Sequence, residues 1–218
     1  MTWIVPERDR LPARLHKSRK GTDIDLVVIH FSVTPWRPDH EYEYGRMRRW
    51  RNSTKSSTHL VNCRNGRLLQ MVSLDRAAEH TSEKRARFDG VGGVDARAIG
   101  IDLVNVGPLK MSDDRVVADY GGRFDGPIAP APHGSLWEEY TQAQMDTMRW
   151  IVEELVSRYP ALGDPDRWVG HSELPSNKID PGPCFPIGEV RGWARRAAGA
   201  RGRGSRRRRR RTRTPRGS

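Results

Sequence analysis

Cysteine is scarce in this chain: 218 residues hold two, Cys63 and Cys184. Two thiols cannot build the disulfide framework on which small secreted domains rely. Long apolar runs are missing as well, and none reaches the roughly 18 residues that a membrane-spanning helix needs. Residues Met1 to Arg8 lack a basic stretch followed by an apolar one, so no secretory signal is expected. Together these absences point to a protein without a membrane span, synthesised in a reducing cytoplasm. Acidic residues are absent from the last twenty positions, which carry ten arginines, six of them consecutive from Arg206 to Arg211. The formal net charge is +12, and without that tail it is about +2, so the rest of the chain is nearly balanced. The tail interleaves its arginines with Gly, Ser, Thr and Pro and has too little apolar surface to offset ordering entropy, so disorder is expected over 199–218.

The length suits one domain with a tail. Residues 1–22 read as a polar leader without a clear period. The domain is expected over 23–198. Leu26-Val27-Val28-Ile29 is a short apolar run that leads to His30 and reads as buried, with the first strand expected over 26–33. Asp39 is placed to cap a helix over 40–51, with Tyr44, Met47 and Trp50 at helical spacing. Two extended runs, 56–63 and 68–73, flank Asn65-Gly66, a strong hairpin signal. Residues 99–105 form another strand. Residues 106–137 are rich in Gly, Pro and Asp and read as a long insertion loop. Thr141 then caps an amphipathic helix to about Tyr159, whose Met145, Met148, Ile151, Val152, Leu155 and Val156 share one face. A short strand over 168–170 and a last helix over 187–198 follow. Strands and helices interleave, which predicts an α/β domain with a central mixed sheet flanked by helices.

The chemistry concentrates between Val169 and Pro183. His171, Lys178 and Asp180 lie within ten residues of one another, on a backbone stiffened by Pro175, Pro181 and Gly182-Pro183. A His and an Asp held on such a loop suit two corners of a metal site, and His30, at the end of the first strand, is the best candidate for a third.

Several blocks occur together in order: Val28-Ile29-His30, Ser57-Thr58-His59-Leu60-Val61 with its hairpin, Ala77-Ala78-Glu79-His80, Ile99-Gly100-Ile101-Asp102, Gly170-His171-Ser172-Glu173, and Lys178-Ile179-Asp180-Pro181-Gly182-Pro183. Over about 24–190 the chain resembles the zinc-dependent N-acetylmuramoyl-L-alanine amidases of the amidase-2 and peptidoglycan recognition protein superfamily. The nearest group is the AmpD-like branch, which also includes phage endolysins. The resemblance implies Zn2+ held by His30, His171 and Asp180, with the fourth tetrahedral position left for water as in catalytic sites. Cys184 stays open as a rival third ligand, because some relatives use Cys. Lys178 matches the position that stabilises the oxyanion. Asp102 stands where the branch usually has Glu as general base, one methylene shorter. Other branches use Tyr at the position of Thr58, and Thr cannot do that work. His80 is expected to line the cleft and His59 to lie behind it, with 106–137, Trp137 and Tyr140 forming a cleft wall.

The implied reaction is hydrolysis of the amide between N-acetylmuramic acid and L-alanine, in cell-wall lysis or recycling, with peptidoglycan or its fragments as substrate. Two alternatives are a peptidoglycan-binding module without catalysis and a nucleic-acid-associated protein acting through its tail. The tail itself suits the anionic cell envelope, or nucleic acid with steep salt dependence. The missing signal fits a cytoplasmic enzyme and equally an endolysin released to the wall.

Overall fold

The protein is described here by a computed structural model, in which residues 1–81, 86–175 and 177–211 are described. The first elements are β1 (Lys17–Ser18), β2 (Leu26–Phe31), α1 (His40–Trp50), β3 (Leu60–Asn62), β4 (Leu68–Gln70) and β5 (Arg76–Ala77). Next come α2 (Val94–Arg97), β6 (Ala98–Leu103), β7 (Pro108–Ser112), β8 (Arg115–Ala118), β9 (Ile128–Pro130) and β10 (Leu136–Glu138). Helix α3 (Gln142–Arg158), β11 (Trp168–Gly170) and α4 (Ile187–Arg211) complete the described chain. No helix among the described residues is long and apolar enough to cross a membrane.

The central sheet runs β11-β2-β6-β3-β4, parallel except for the β3–β4 hairpin. It is the expected mixed sheet. Every residue of β2 and β6 is buried, which suits apolar strands covered on both faces. Alternation sends Val27, Ile29, Ile99 and Ile101 to one face, where they pack with Met148, Ile151, Val152 and Leu155 of α3 and with Val190 and Ala194 of α4. Burial of each large aliphatic side chain stabilises by about 1.5–3 kcal/mol. The start of α3 is fixed by a reciprocal cap: Thr141 Oγ1 accepts from the Gln144 N–H at 3.1 Å, and Gln144 Oε1 accepts from the Thr141 N–H at 3.1 Å. Asp39 caps α1 by accepting from the Glu41 N–H.

The opposite face carries Leu26, Val28 and His30 from β2, and Ala98, Gly100 and Asp102 from β6. Helix α1 covers one end of it through Tyr44 and Met47, packed with Val61 and Val104. Leu26, Val28 and Ala98 pack with Val94 and Leu174 elsewhere on that face. The uncovered ground between these clusters lies over the C-terminal ends of the strands.

Three expectations from the sequence change. First, 106–137 is not a plain loop but holds an antiparallel sheet, β8-β7-β10-β9, with a small core of Val106, Leu109, Ala118 and Phe124. Its strands span three to five residues, too short to display a period of two, and the Gly and Pro residues sit largely between them. Second, the leader packs onto the domain. The N–H groups of Leu11 and Ala13 donate to the carbonyls of Gln70 and Met71, both at 2.8 Å. Arg19 is buried and donates to the carbonyls of Leu74, Ala96 and Ala98 at 2.9, 2.7 and 3.0 Å. Backbone pairing and a buried charge leave no hydrophobic period to read. Third, α4 does not stop at Ala198 but continues helically to Arg211. Arginine is a good helix former, and the helix is anchored upstream by buried Val190 and Ala194. The remainder of the expected disordered tail, 212–218, lies outside the described residues.

A buried ionic cluster joins the two sheets. Arg64, in the β3–β4 turn, donates from Nη1 to Glu43 Oε1 of α1 at 2.9 Å and from Nη2 to Glu138 Oε2 of β10 at 2.9 Å. Its Nη2 also donates to the Thr34 carbonyl at 2.7 Å. Burial pushes the Glu138 carboxyl upward, opposed by Arg64. Removing one partner of such a group leaves an uncompensated buried charge, at a cost of about 3–5 kcal/mol. Arg64→Met is therefore expected to lower unfolding free energy by about that amount, measured as a shift of the urea midpoint at unchanged slope.

Candidate metal centre

Parallel pairing sets His30 opposite Asp102, so both side chains leave the same face of neighbouring strands. Strand β11 lies on the other side of β2 and ends at Gly170, which delivers His171 at the start of a single 3-10 turn. The Asp180 carbonyl accepts from the Ser172 N–H at 2.8 Å, which ties the Asp180 loop to the His171 turn. The same loop is held from above by the second sheet. Gly182 adopts φ +85°, and a Cβ there would overlap the Trp137 ring. The Tyr140 hydroxyl donates to the Pro181 carbonyl at 2.8 Å.

Three ligand-type atoms converge as a result. His30 Nδ1 lies 3.1 Å from His171 Nδ1 and 2.9 Å from Asp180 Oδ2, and His171 Nδ1 lies 3.1 Å from the same oxygen. All three residues are buried, and they form the one His/Cys/Asp/Glu cluster of metal-binding type among the described residues. Tetrahedral zinc with bonds of about 2.0–2.1 Å would separate its ligand atoms by about 3.3–3.4 Å. The observed triangle is a few tenths of an ångström tighter, so opening it slightly fits such an ion. The donor set points the same way. Two imidazole lone pairs and a carboxylate aimed at one point need a cation or shared protons between them. Burial opposes protonation of His30, yet its pKa is raised by its hydrogen bond to Asp180 and by the Asp102 and Asp180 charges. Burial likewise opposes ionisation of Asp180, yet the hydrogen bonds of His171 and His30 hold it well below the usual carboxylate range.

The triad forms the floor of a cleft of about 790 Å³, within the usual size of a small-molecule site. Asp102 and Lys178 line the same cleft. Asp102 is buried, and desolvation raises its pKa above the ordinary carboxylate range, although the neighbouring His30 pulls the other way. Thr58 is buried beside it. Lys178 is exposed on the cleft surface.

The remaining sequence candidates are placed as follows. Cys184 stands apart from the triad, with Sγ 3.9 and 3.7 Å from the Ala129 and Pro130 carbonyls of β9. His59 is fully buried; its Nδ1 accepts from the Gly100 N–H at 3.0 Å, and its Nε2 lies 2.9 Å from the Arg76 carbonyl. Burial, with Arg19 alongside, lowers its pKa to about 3. His80 sits behind His30 at the back of the cleft, its side chain 1% exposed. Trp137 and Tyr140 are buried supports for the Asp180 loop and do not line the cleft; from 106–137 it is Tyr120 that does. Sequence reasoning missed Arg46, Arg49 and Trp50, which line the opposite wall from α1. Arg49 and Trp50 follow Arg46 by three and four residues, the helical spacing that was the available signal.

Comparison with known proteins agrees with this picture. The sequence model of a family described as N-acetylmuramoyl-L-alanine amidase matches residues 20–183. A relative from Enterobacter cloacae, the 1,6-anhydro-N-acetylmuramyl-L-alanine amidase AmpD, is 43% identical over 47 residues; that stretch covers 21% of this chain and 24% of the relative. This chain thus spans about a quarter of that relative's length in the match. Among solved structures, the selenomethionine derivative of AmpD superposes with a TM-score of 0.57 at 22% identity, covering 88% of this chain and 96% of that one. The E. coli amidase AmiD, in complex with anhydro-N-acetylmuramic acid-L-Ala-D-γ-Glu-L-Lys, gives 0.56 at 21% identity over 83% of this chain and 60% of that one. Drosophila peptidoglycan recognition protein SD gives 0.50 at 16% identity over 82% and 85%. At these identities the structural likeness speaks to the fold.

The two cysteines give a simple check of the geometry. Burial pushes the Cys63 thiol up and shields it, whereas Cys184 is partly exposed. A thiol reagent is expected to modify Cys184 in the folded protein and Cys63 only on unfolding, and Cys184→Ser is expected to leave metal content unchanged by elemental analysis.

Proposed function

Because the chain belongs to the N-acetylmuramoyl-L-alanine amidase family, we propose that it hydrolyses the amide joining the lactyl group of N-acetylmuramic acid to L-alanine of the stem peptide, with Zn2+ held by His30, His171 and Asp180. The observation that carries this reading is the convergence of His30 Nδ1, His171 Nδ1 and Asp180 Oδ2 within about 3 Å of one another on the cleft floor. Zinc held there supplies Lewis acidity, polarising an amide carbonyl and bringing the acidity of water close to neutral pH.

The chain's own groups do the rest. Asp102, adjacent to His30 across a parallel strand pair about 4.8 Å apart, takes the proton of the attacking water. It then returns that proton to the departing alanine amine. The strand register puts the Asp102 carboxylate on the face that bears His30. Lys178 sets an ammonium on the cleft wall, where the amide oxygen becomes negative. The cleft has room for a muropeptide of a few units, and the amidases of known structure that resemble this fold include one in complex with an anhydromuramyl peptide. The substrate class is therefore N-acetylmuramoyl peptides, soluble or within the wall.

The arginine-rich stretch beyond Gly199 is read from its charge as a tether to the anionic cell envelope, worth about 1 kcal/mol per arginine near an anionic surface at moderate salt. Retention on purified walls is expected to fall steeply with added salt and to be lost in a chain ending at Ala198, with cleavage of soluble substrate unchanged.

Mass spectrometry of wall digests and of soluble anhydromuramyl peptides tests the reaction. Free stem peptides beginning at alanine are expected. A chelator should abolish their release and zinc should restore it. Asp180→Ala should lose the metal. Lys178→Ala and Asp102→Asn should keep the metal and lose turnover by about 100- to 1000-fold. Release of peptide undiminished by chelation, or turnover retained in the metal-free Asp180 variant, overturns the reading.

A further inference from the structure

His80 lines the cleft next to the His30/His171/Asp180 triad without belonging to it, and its contacts give it a task of its own. We infer that His80 is a positioning residue for His30: its Nδ1 accepts the Nε2–H of His30 and so aims the other ring nitrogen, Nδ1, at His171 and Asp180. This rests on the metal-ligand reading given above.

The proton arrangement follows from the contacts. A neutral imidazole carries one N–H and one lone pair. His30 presents Nδ1 to the two other ligand-type atoms, at 3.1 and 2.9 Å. To bind a cation there, Nδ1 must offer its lone pair, so the His30 proton sits on Nε2. That nitrogen lies 3.0 Å from His80 Nδ1, which must then be the acceptor. The single proton of His80 is left on its Nε2. This atom is buried and makes no hydrogen bond, but it faces Asp95 Oδ1 at 3.6 Å. An N–H directed toward a carboxylate oxygen is electrostatically favourable, whereas the opposite tautomer would set a lone pair against it. Asp95 is itself fixed, because the same Oδ1 accepts from the Thr81 N–H at 3.0 Å and from the His80 N–H at 3.4 Å.

The setting leaves the His80 ring little choice of place. It meets His30 edge-on, with ring centroids 5.2 Å apart and planes at 76°. It also lies directly on Gly100 of β6, where a Cβ would come within 2.6 Å of His80 Cγ. Gly100 occupies the position between Ala98 and Asp102 on the site face of the sheet, so the missing side chain makes the slot over β6 in which His80 stands beside His30. His80 lines the cleft, as the sequence suggested, and its contacts add the role of a prop for the ligand.

Loss of a partner of this kind typically weakens metal binding by about 10- to 100-fold. Zinc affinity of the full chain, measured by competition with a chromophoric chelator, tests the inference. His80→Leu is expected to weaken binding by about that factor. His80→Asn, whose Oδ1 stands close to the position of Nδ1, is expected to restore it to near the parent value. Equal zinc affinity in the parent and the Leu variant overturns the positioning role while leaving the ligand reading intact. A parent chain that binds no zinc overturns both. If the Leu variant fails to fold, 15N shifts of the histidine rings in the zinc-loaded, unaltered chain decide. With zinc bound, both His30 and His80 are expected to carry their proton on Nε2, and a proton on Nδ1 of His80 overturns the inference.

Discussion

Three neighbouring parallel strands, β11, β2 and β6, point the same way and finish at the same edge of the sheet, so whatever ends or follows each strand is delivered to one place. His171 follows β11, His30 is the penultimate residue of β2, and Asp102 is the penultimate residue of β6. These residues are separated by more than 140 positions at the extreme, yet side-by-side backbone pairing fixes them within a few ångströms. The crevice beyond the carboxyl ends of parallel strands is the usual binding place in open α/β sheets. Only Asp180 comes from irregular chain, and it is accordingly the ligand-type group with the most external support.

That support comes from the second sheet. Trp137 presses on Gly182, Tyr140 bonds the Pro181 carbonyl, and Glu138 between them anchors β10 to Arg64. One short strand thus braces the Asp180 loop and is itself fixed by a buried ion pair to the β3–β4 turn. Arg64 also holds Glu43 of α1, the helix whose Arg46, Arg49 and Trp50 form the opposite cleft wall. The cleft's two sides therefore share one guanidinium as their common fixing point. Buried ion pairs contribute little net stability compared with apolar packing, but they penalise every arrangement that separates them. Such a cluster suits a site whose walls must keep a set distance.

Much of this was legible in the residues. The period of α3, the apolar run of β2 and the Asn65-Gly66 turn are local signals, and each is strong enough to survive its surroundings. The ligand candidates were legible through the order of several short blocks, not through any single one. What could not be read depends on partners distant in the chain. Glu43, Arg64 and Glu138 look like three ordinary surface charges until folding brings them together. The strands of the second sheet are shorter than the window in which alternation becomes visible. His80 occupies a readable block, but its depth behind His30 is set by an empty space over Gly100, and an absent side chain leaves no signature of what fills its place. The leader misleads for a related reason: it adheres by backbone pairing and a single long cation instead of an apolar stripe.

That cation carries a consequence for how the domain is bounded. The Arg19 guanidinium spans the carbonyls of Leu74, Ala96 and Ala98, which belong to the segment after β4 and to the junction of α2 with β6. Desolvation lowers its pKa to about 10, still high enough to keep it charged in neutral solution. A shortened protein starting at Lys20 would preserve every residue of the cleft and yet leave the buried Leu74 and Ala98 carbonyls without that donor. The strand beneath His80 and Asp102 would lose its outer clamp, so the catalytic half of the molecule depends on a segment that touches none of its chemistry.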